Sequence, residues 1–284
     1  MKPILVIGAT GNIGREVVCQ LIATKVPARA LTRNPESANL PSEVEVVRGD
    51  LTIPDTLDGP LDDVDRVFLV WTAAPAAVGP ALDRIAKYAK QVVFLSSPHH
   101  TAHPFFQQPN PVATLHAEIE RQIEASRCRW TFLRPGMFAA NAQNWWAATI
   151  RKGNVVRWPY AEAPTAPIHE RDIAAIAARA LCEDGHEGKE YVLTGPQSLS
   201  QREQVSTIGD GIGRPVRLEE ISPEEARREL LPLMPLPAIN MLLNAWAAAI
   251  SQPAYVTSTV ADLTGTPART FHDWVVDHSA EFRG

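Results

Sequence analysis

The chain has 284 residues, 45% of them hydrophobic, and a formal net charge of −5. This is enough apolar material for one large domain or two coupled ones, and an acidic balance without Lys or Arg runs excludes a nucleic-acid footprint. Three cysteines, an odd number with no Cys-x-x-Cys, read as packing in a reducing compartment and not as a disulfide framework, which points to the cytoplasm.

The first strand, over 4–7, begins too early for a signal peptide, and no apolar run reaches the ~20 residues of a membrane span. Further strands are predicted over 28–32, 44–48, 66–71, 92–96 and 130–134, several of them continuous apolar runs suited to a buried parallel sheet. Helical patterns over 14–24, 79–90 and 114–126 fall between them. The alternation predicts an α/β fold, a Rossmann-type doubly wound parallel sheet with right-handed crossovers. After Gly136 the pattern changes. Residues 145–167, rich in Trp and Pro, read as loops with a short helix. A helix begins in 167–176 and 189–193 reads as a returning strand. Helices over 200–211, 223–231 (with Ser222 as N-cap), 236–250 and 270–278 follow, with a strand over 216–220. Residues 1–150 are thus expected to form a dinucleotide-binding domain. Residues 151–284 are expected to form a smaller α+β substrate domain, with about 168–195 returning to the sheet.

The most specific local signal is Gly8-Ala9-Thr10-Gly11-Asn12-Ile13-Gly14, between the first strand and an amphipathic helix. Gly8 suits a tight turn, Gly11 lets a pyrophosphate approach the backbone, and Gly14 lets helix and strand pack closely. The first helical N–H groups then face the phosphates. Nineteen residues after Gly14, where an acidic side chain would bind a ribose 2′-hydroxyl, stands Arg33. A guanidinium grips a phosphate bidentately, so the expected cofactor is NADPH (NADP+), with NADH as the weaker option. Asp50 and Leu51 are expected at the adenine, and Thr72 and Ala73 along the cofactor.

These residues, with Phe94-Leu95-Ser96-Ser97, the run from Trp130 to Phe138, Glu170-Arg171-Asp172-Ile173-Ala174, Tyr191–Pro196 and Arg269–Trp274, make the chain resemble the NmrA-like atypical short-chain dehydrogenase/reductases. The resemblance implies a Rossmann domain with a small C-terminal substrate domain, and places Pro135, Gly136, Met137 and Phe138 at the nicotinamide. It implies reductases of aromatic and quinone-like compounds, or non-catalytic regulators that sense the cofactor. One departure stands out. Where active short-chain reductases carry Tyr-x-x-x-Lys, this helix carries Val112 and His116. Valine donates no proton. The remaining candidates to steady a developing alkoxide are Ser96 and Ser97 at the end of the fifth strand, His100, and His116, which can also bond the cofactor ribose.

The His99-His100-x-x-His103 spacing lacks a helical pair and adjacent Cys or acidic ligands, so no metal is expected. Phe105, Phe138, Trp145, Trp146, Trp158 and Tyr160 are the expected substrate pocket, with Tyr160 the tyrosine placed to reach it. A substrate phenol beside the reacting ketone can itself bond the oxyanion. In that combination the chain is similar to the angucyclinone ketoreductases of aromatic polyketide (antibiotic) biosynthesis. The expected function is NADPH-dependent reduction of a ketone on a polycyclic aromatic or quinone-like small molecule. A cofactor-sensing regulator and an NAD(P)H:quinone oxidoreductase are the alternatives, and the sequence leaves the oligomeric state open.

Overall fold

A computed structural model describes residues 2–283. In chain order the elements are β1 (Ile4–Ile7), α1 (Asn12–Ala23), β2 (Ala28–Thr32), β3 (Glu45–Arg48), α2 (Asp58–Leu61), β4 (Arg66–Val70), α3 (Val78–Tyr88), β5 (Gln91–Leu95), α4 (Pro111–Ala125) and β6 (Arg129–Pro135). There follow α5 (Asn141–Lys152), β7 (Val155–Trp158), β8 (Pro164–Thr165), α6 (Glu170–Cys182), β9 (Lys189–Leu193), β10 (Leu199–Ser200) and α7 (Gln201–Ile212). The last are β11 (Arg217–Glu220), α8 (Pro223–Leu230), α9 (Leu236–Ala249), α10 (Thr259–Thr264) and α11 (Phe271–Asp277).

These elements divide into two compact units. One comprises the chain up to Ser97, Val112–Pro135 and Glu170–Val192; the other comprises Pro98–Pro111, Gly136–His169 and the chain from Leu193. The first unit is a seven-stranded sheet in the order β3-β2-β1-β4-β5-β6-β9. Its pairs from β3 to β6 are parallel, with Ile4 in register with both Ala28 and Arg66, and Val93 with Thr131. β1 is buried along its whole length, as a central parallel strand must be when both faces are covered. Leu5, Ile7, Val67, Leu69, Phe94 and Phe132 join one core cluster with Leu82, Ile85, Ile119 and Ile123 from α3 and α4. α1 packs on α6. The strand order reverses at β1, so the fold has its switch point between β1 and β4, where open α/β sheets bind ligands at the carboxyl ends.

At the exit of β6, Arg134 is buried and bonded in both arms of its fork to Glu120 of α4 (Nε to Oε1 3.0 Å, Nη2 to Oε2 2.6 Å), and it also meets Glu190 of β9. Burial works against the guanidinium charge, but the glutamate bonds outweigh it and hold its pKa above the ordinary arginine value.

The second unit is built around tryptophan. Trp146, Trp158, Trp246 and Trp274 are buried with Phe271 and Phe282. Trp145 stacks on Trp158 with centroids 5.5 Å apart, and Trp246 meets both Trp145 and Trp158 at 5.7 Å. β7 pairs with β11 in parallel and β8 with β10 antiparallel. Capping boxes start α7 (Ser200 with Glu203), α8 (Ser222 with Glu225) and α11 (Thr270 with Asp273), each satisfying two orphan N–H donors.

The segment read as loops with a short helix begins inside a full helix. α5 runs for 12 residues, because Ala142, Trp146, Ala147 and Ile150 recur at helical spacing on one buried face. The prolines that suggested loop come only later, at 159, 164 and 167. The short helix α10 was not anticipated. It covers six residues and ends at Gly265 in the left-handed region. Among the described residues no helix is long and apolar enough to cross a membrane.

Candidate functional site

In the first unit a cleft of about 400 Å³ opens at the carboxyl ends of β1, β2 and β4. It is lined by Gly8, Thr10 and Gly11, by Thr32, Arg33, Asn34 and Ser37, by Asp50 and Leu51, and by Thr72 and Ala73. The structure thus brings Gly8, Thr10, Gly11, Arg33, Asp50, Leu51, Thr72 and Ala73, expected from the sequence, together along one trough, and adds Thr32, Asn34 and Ser37.

The three glycines have separate reasons. Gly8 sits at φ +84°, and a Cβ there would lie 2.7 Å from Val70 Cβ. At Gly14 a Cβ would lie 2.2 Å from the Gly8 carbonyl oxygen, so only glycine lets α1 approach β1 this closely. At Gly11 the nearest atom would be 3.5 Å away, an ordinary contact. Nothing in the protein itself forbids a side chain at Gly11, which leaves the ligand side of the cleft as its physical reason. Gly11 is the N-cap of α1 and offers no side-chain cap, and the first turn holds no acidic residue. Asn12 and Ile13 are in that turn, whose N–H groups and dipole favour an anion.

At the far end of the cleft Arg33 is exposed beside Asn34 and Ser37. Asp50 Oδ1 accepts from the Thr52 backbone N–H and hydroxyl, both at 2.8 Å. The Thr52 backbone bond first, then its hydroxyl, hold the Asp50 carboxyl below the usual carboxylate value, with a further contribution from the Arg33 charge. Leu51 is buried and belongs to the core. Ser96 follows β5, and its N–H donates to the Leu133 carbonyl at 2.7 Å. Its hydroxyl is buried with no hydrogen-bond partner among the described residues, a pattern that marks a group awaiting a ligand. An anion-ready helix start, a basic residue at the β2 end and an orphaned hydroxyl at the β5 end fit a phosphorylated nicotinamide dinucleotide.

Ser97 comes next in the chain, half-buried. His116 is on α4, its ring edge-to-face with Phe94 at 5.4 Å. Val112, at the usual tyrosine position, is half exposed on the first turn of the same helix.

The second unit contains a separate small hollow, lined among others by His103, Phe105, Phe106, Met137, Thr194 and Tyr255. Gly136 also lines it, its backbone N–H donating to the Leu193 carbonyl at 2.9 Å. Phe138 forms a bridge with Ile168. His100 is exposed, its ring 4.2 Å from that of His99.

The expected aromatic pocket is redistributed. Phe105 lines the hollow, but Trp146 and Trp158 are core residues with 1% and 3% exposure, and the Trp158 indole N–H is satisfied by Gln201 Oε1 at 2.6 Å. Trp145 and Tyr160 pack on that core, and Tyr160 takes a left-handed backbone conformation at φ +53°. The tyrosine in the wall of the hollow is Tyr255, which sequence reasoning missed because it carries no motif. Its one signal is its place in an otherwise polar and small-residue stretch after the last long apolar helix.

Comparison with known proteins places the chain. The NmrA-like family model matches residues 1–257. The chain belongs to the NmrA-like family. A "(4-alkanoyl-5-oxo-2,5-dihydrofuran-3-yl)methyl phosphate reductase" of Streptomyces griseus is 37% identical, covering 98% of this chain and 99% of that protein. An NAD(P)H azoreductase of Xenophilus azovorans is also 37% identical, with the same coverage. Among solved structures, an NADPH-dependent quinone oxidoreductase of Escherichia coli superposes with a TM-score of 0.80 at 24% identity, covering 97% of this chain and 99% of that one. A triphenylmethane reductase of Citrobacter superposes at 0.81 with 21% identity, covering 98% and 99%. These two structures share this chain's fold.

Proposed function

We propose that this chain uses NADPH to reduce a carbonyl on a flat, uncharged aromatic or quinone-like small molecule, a step of the kind that tailors aromatic polyketides. At the coarser level it is an NAD(P)H-dependent oxidoreductase of the NmrA-like family, in keeping with the two reductases to which it is 37% identical. The cleft of the first unit supplies what that cofactor requires: the start of α1 for the diphosphate, Arg33 for a 2′-phosphate, and Asp50 with Leu51 for the adenine. When bound, reduced nicotinamide supplies a hydride.

The observation that carries the finer reading is the wall of the second unit's hollow. Among the described residues lining it there is no Lys, Arg, Asp or Glu. Phe105, Phe106 and Met137 favour a ring by area, stacking and sulfur contact. His103 is the ionisable imidazole in that wall, and its ring is already engaged: Nε2 is 3.0 Å from the Pro253 carbonyl, which can only accept, and Nδ1 accepts from the Phe105 N–H at 3.3 Å. Both ring nitrogens are thus already engaged within the protein. A phosphorylated substrate like that of the Streptomyces griseus relative would find no cation here.

The second reading, a quinone or azo acceptor, is favoured by the azoreductase and by a quinone oxidoreductase of Escherichia coli at 26% identity. The test is NADPH absorbance loss with a panel of aromatic ketones, quinones and azo dyes, each paired with an anionic analogue, followed by product analysis. A secondary alcohol supports ketone reduction and a hydroquinone supports the second reading. Faster turnover of the anionic members would refute the uncharged-ligand assignment.

A further inference from the structure

We propose that Arg15 is a positioning residue for the choice of cofactor. Its guanidinium holds the segment 33–39 against α1, so that Arg33 stands ready for the ribose 2′-phosphate of NADPH. The proposal deepens the NADPH-dependent reading above and rests on it.

The segment after β2 has little regular structure of its own. One 3₁₀ turn, Pro35–Ser37, separates Arg33 and Asn34 from Ala38 and Asn39. Its side-chain bonds are short-range: the Asn34 N–H donates to Thr32 Oγ1 at 3.2 Å, and the Ser37 hydroxyl donates to the Asn34 carbonyl at 3.3 Å. Such bonds shape a turn without fixing where it lies against the rest of the unit. Yet Arg33, Asn34, Ser37 and Ala38 all line the cleft. The first three are exposed, so packing does not hold them there.

Arg15 supplies the tie. It is the fourth residue of α1, and its backbone N–H donates to the Gly11 carbonyl at 2.9 Å. It therefore stands on the helix start whose N–H groups favour an anion. From there its Nη1 donates to the Asn39 carbonyl, and its Nη2 to the Ala38 carbonyl at 3.4 Å. The near end of the segment is held by the ladder, where the Gly49 N–H donates to the Thr32 carbonyl at 3.0 Å. The fork of Arg15 closes the far end. Asn39 adopts a left-handed conformation at φ +45°, and Ala38 beside it is buried. A non-glycine residue keeps such a backbone only where its surroundings hold it.

One helix thus serves both ends of the nucleotide. Its first turn faces the diphosphate, and Arg15 places the segment that carries Arg33. The hydrogen bonds of Arg15 go to backbone carbonyls, which leaves the phosphate itself to Arg33. The benefit is preorganisation: a nucleotide that finds the segment in place does not have to order it on binding. NADH has no 2′-phosphate and gains nothing from the placement of Arg33, so the effect is specific to NADPH.

The test uses the full chain and three variants: Arg15→Met, which keeps most of the stem, Arg33→Ala, and the double variant. Calorimetry gives Kd for NADPH and for NADH, and thermal melts report folding. Arg15→Met is expected to weaken NADPH by about 3–10-fold, the cost of ordering a side chain on binding, with NADH unchanged within twofold. In the Arg33→Ala background it should add no further loss, because it acts through Arg33. An unchanged NADPH affinity overturns the proposal. So do equal losses for both nucleotides, which mark a general structural role, and losses that multiply in the double variant, which mark a separate contact. If Arg15→Met does not fold, Arg15→Lys is measured in the same way. It keeps the charge but offers a point donor in place of the fork, and the same NADPH-only loss is expected. A wild-type chain that binds NADPH no better than NADH sinks the NADPH reading itself, before any variant is made.

Discussion

Arg134 and Glu120 face each other as a two-pronged, buried ion pair, each about 4% exposed, at the point where the last central strand ends and one residue before Pro135. The pair ties α4 to the end of β6. Breaking one side of a buried pair costs more than the pair contributes, because the survivor is a stranded charge. Glu120→Ala is therefore expected to lower unfolding free energy by about 3–5 kcal/mol. Urea denaturation followed by circular dichroism measures this, and a loss under 1 kcal/mol would show that Glu190 alone satisfies the guanidinium.

The glycines of the first turn separate folding from binding. Gly14→Ala puts a methyl against the Gly8 carbonyl, where backbone has to move, and is expected to destabilise the fold as well as weaken NADPH binding. Gly11→Ala meets ordinary contacts only, so its Tm should stay within a few degrees of wild type while NADPH affinity drops tenfold or more. Thermal melts beside calorimetric titration decide it. Equal thermal losses for the two variants would contradict the division.

Arg33 should act on the 2′-phosphate alone. A hydrogen bond to a charged group contributes about 1.5–3 kcal/mol, so Arg33→Ala is expected to weaken NADPH by roughly 10–150-fold and leave NADH nearly unchanged. Fluorescence titration with both nucleotides gives the ratio. Parallel losses for the two would mean that the side chain supports the cleft generally.

Asp50 carries a pH signature. Its carboxyl titrates below the ordinary carboxylate value because Thr52 donates twice to Oδ1. For a depressed pKa the linked stabilisation is present above the unfolded value, near 4, and is lost as pH falls through the folded one. Thr52→Val removes the hydroxyl bond and keeps the backbone one, so the Asp50 pKa should rise toward, but not reach, its unfolded value. A carbon-detected NMR titration of the side-chain carboxyl measures the two proteins directly, and a fall in the variant would reverse the assignment.

Much of the first unit is legible in the sequence because its signals are local. A strand buried on both faces reads as an apolar run, as Ile4–Ile7 does, and a helix that must meet phosphate announces itself by Gly8, Gly11 and Gly14 within seven residues. Arg33 is found by counting, since the β2 end lies a fixed distance from the turn. The second unit resists such reading. Its tryptophans satisfy either a pocket or a core, and composition does not distinguish them. Trp146 and Trp158 are core because their neighbours on α7, β11 and α9 close over them, a fact held by residues fifty to a hundred positions away.

The segment around Tyr255 shows the same limit more sharply. Tyr255 belongs to no spacing pattern, and Ser198, Thr194 and His103, which bond its chain neighbours, are 57, 61 and 152 residues away from it. The chain's own periodicity and its glycine motif determined the sheet and the nucleotide-binding turn, and its resemblance to the NmrA-like family exposed the missing Tyr-x-x-x-Lys. Only tertiary packing decided which aromatic rings are walls and which are filling, because that choice depends on long-range contacts that leave no period in the sequence.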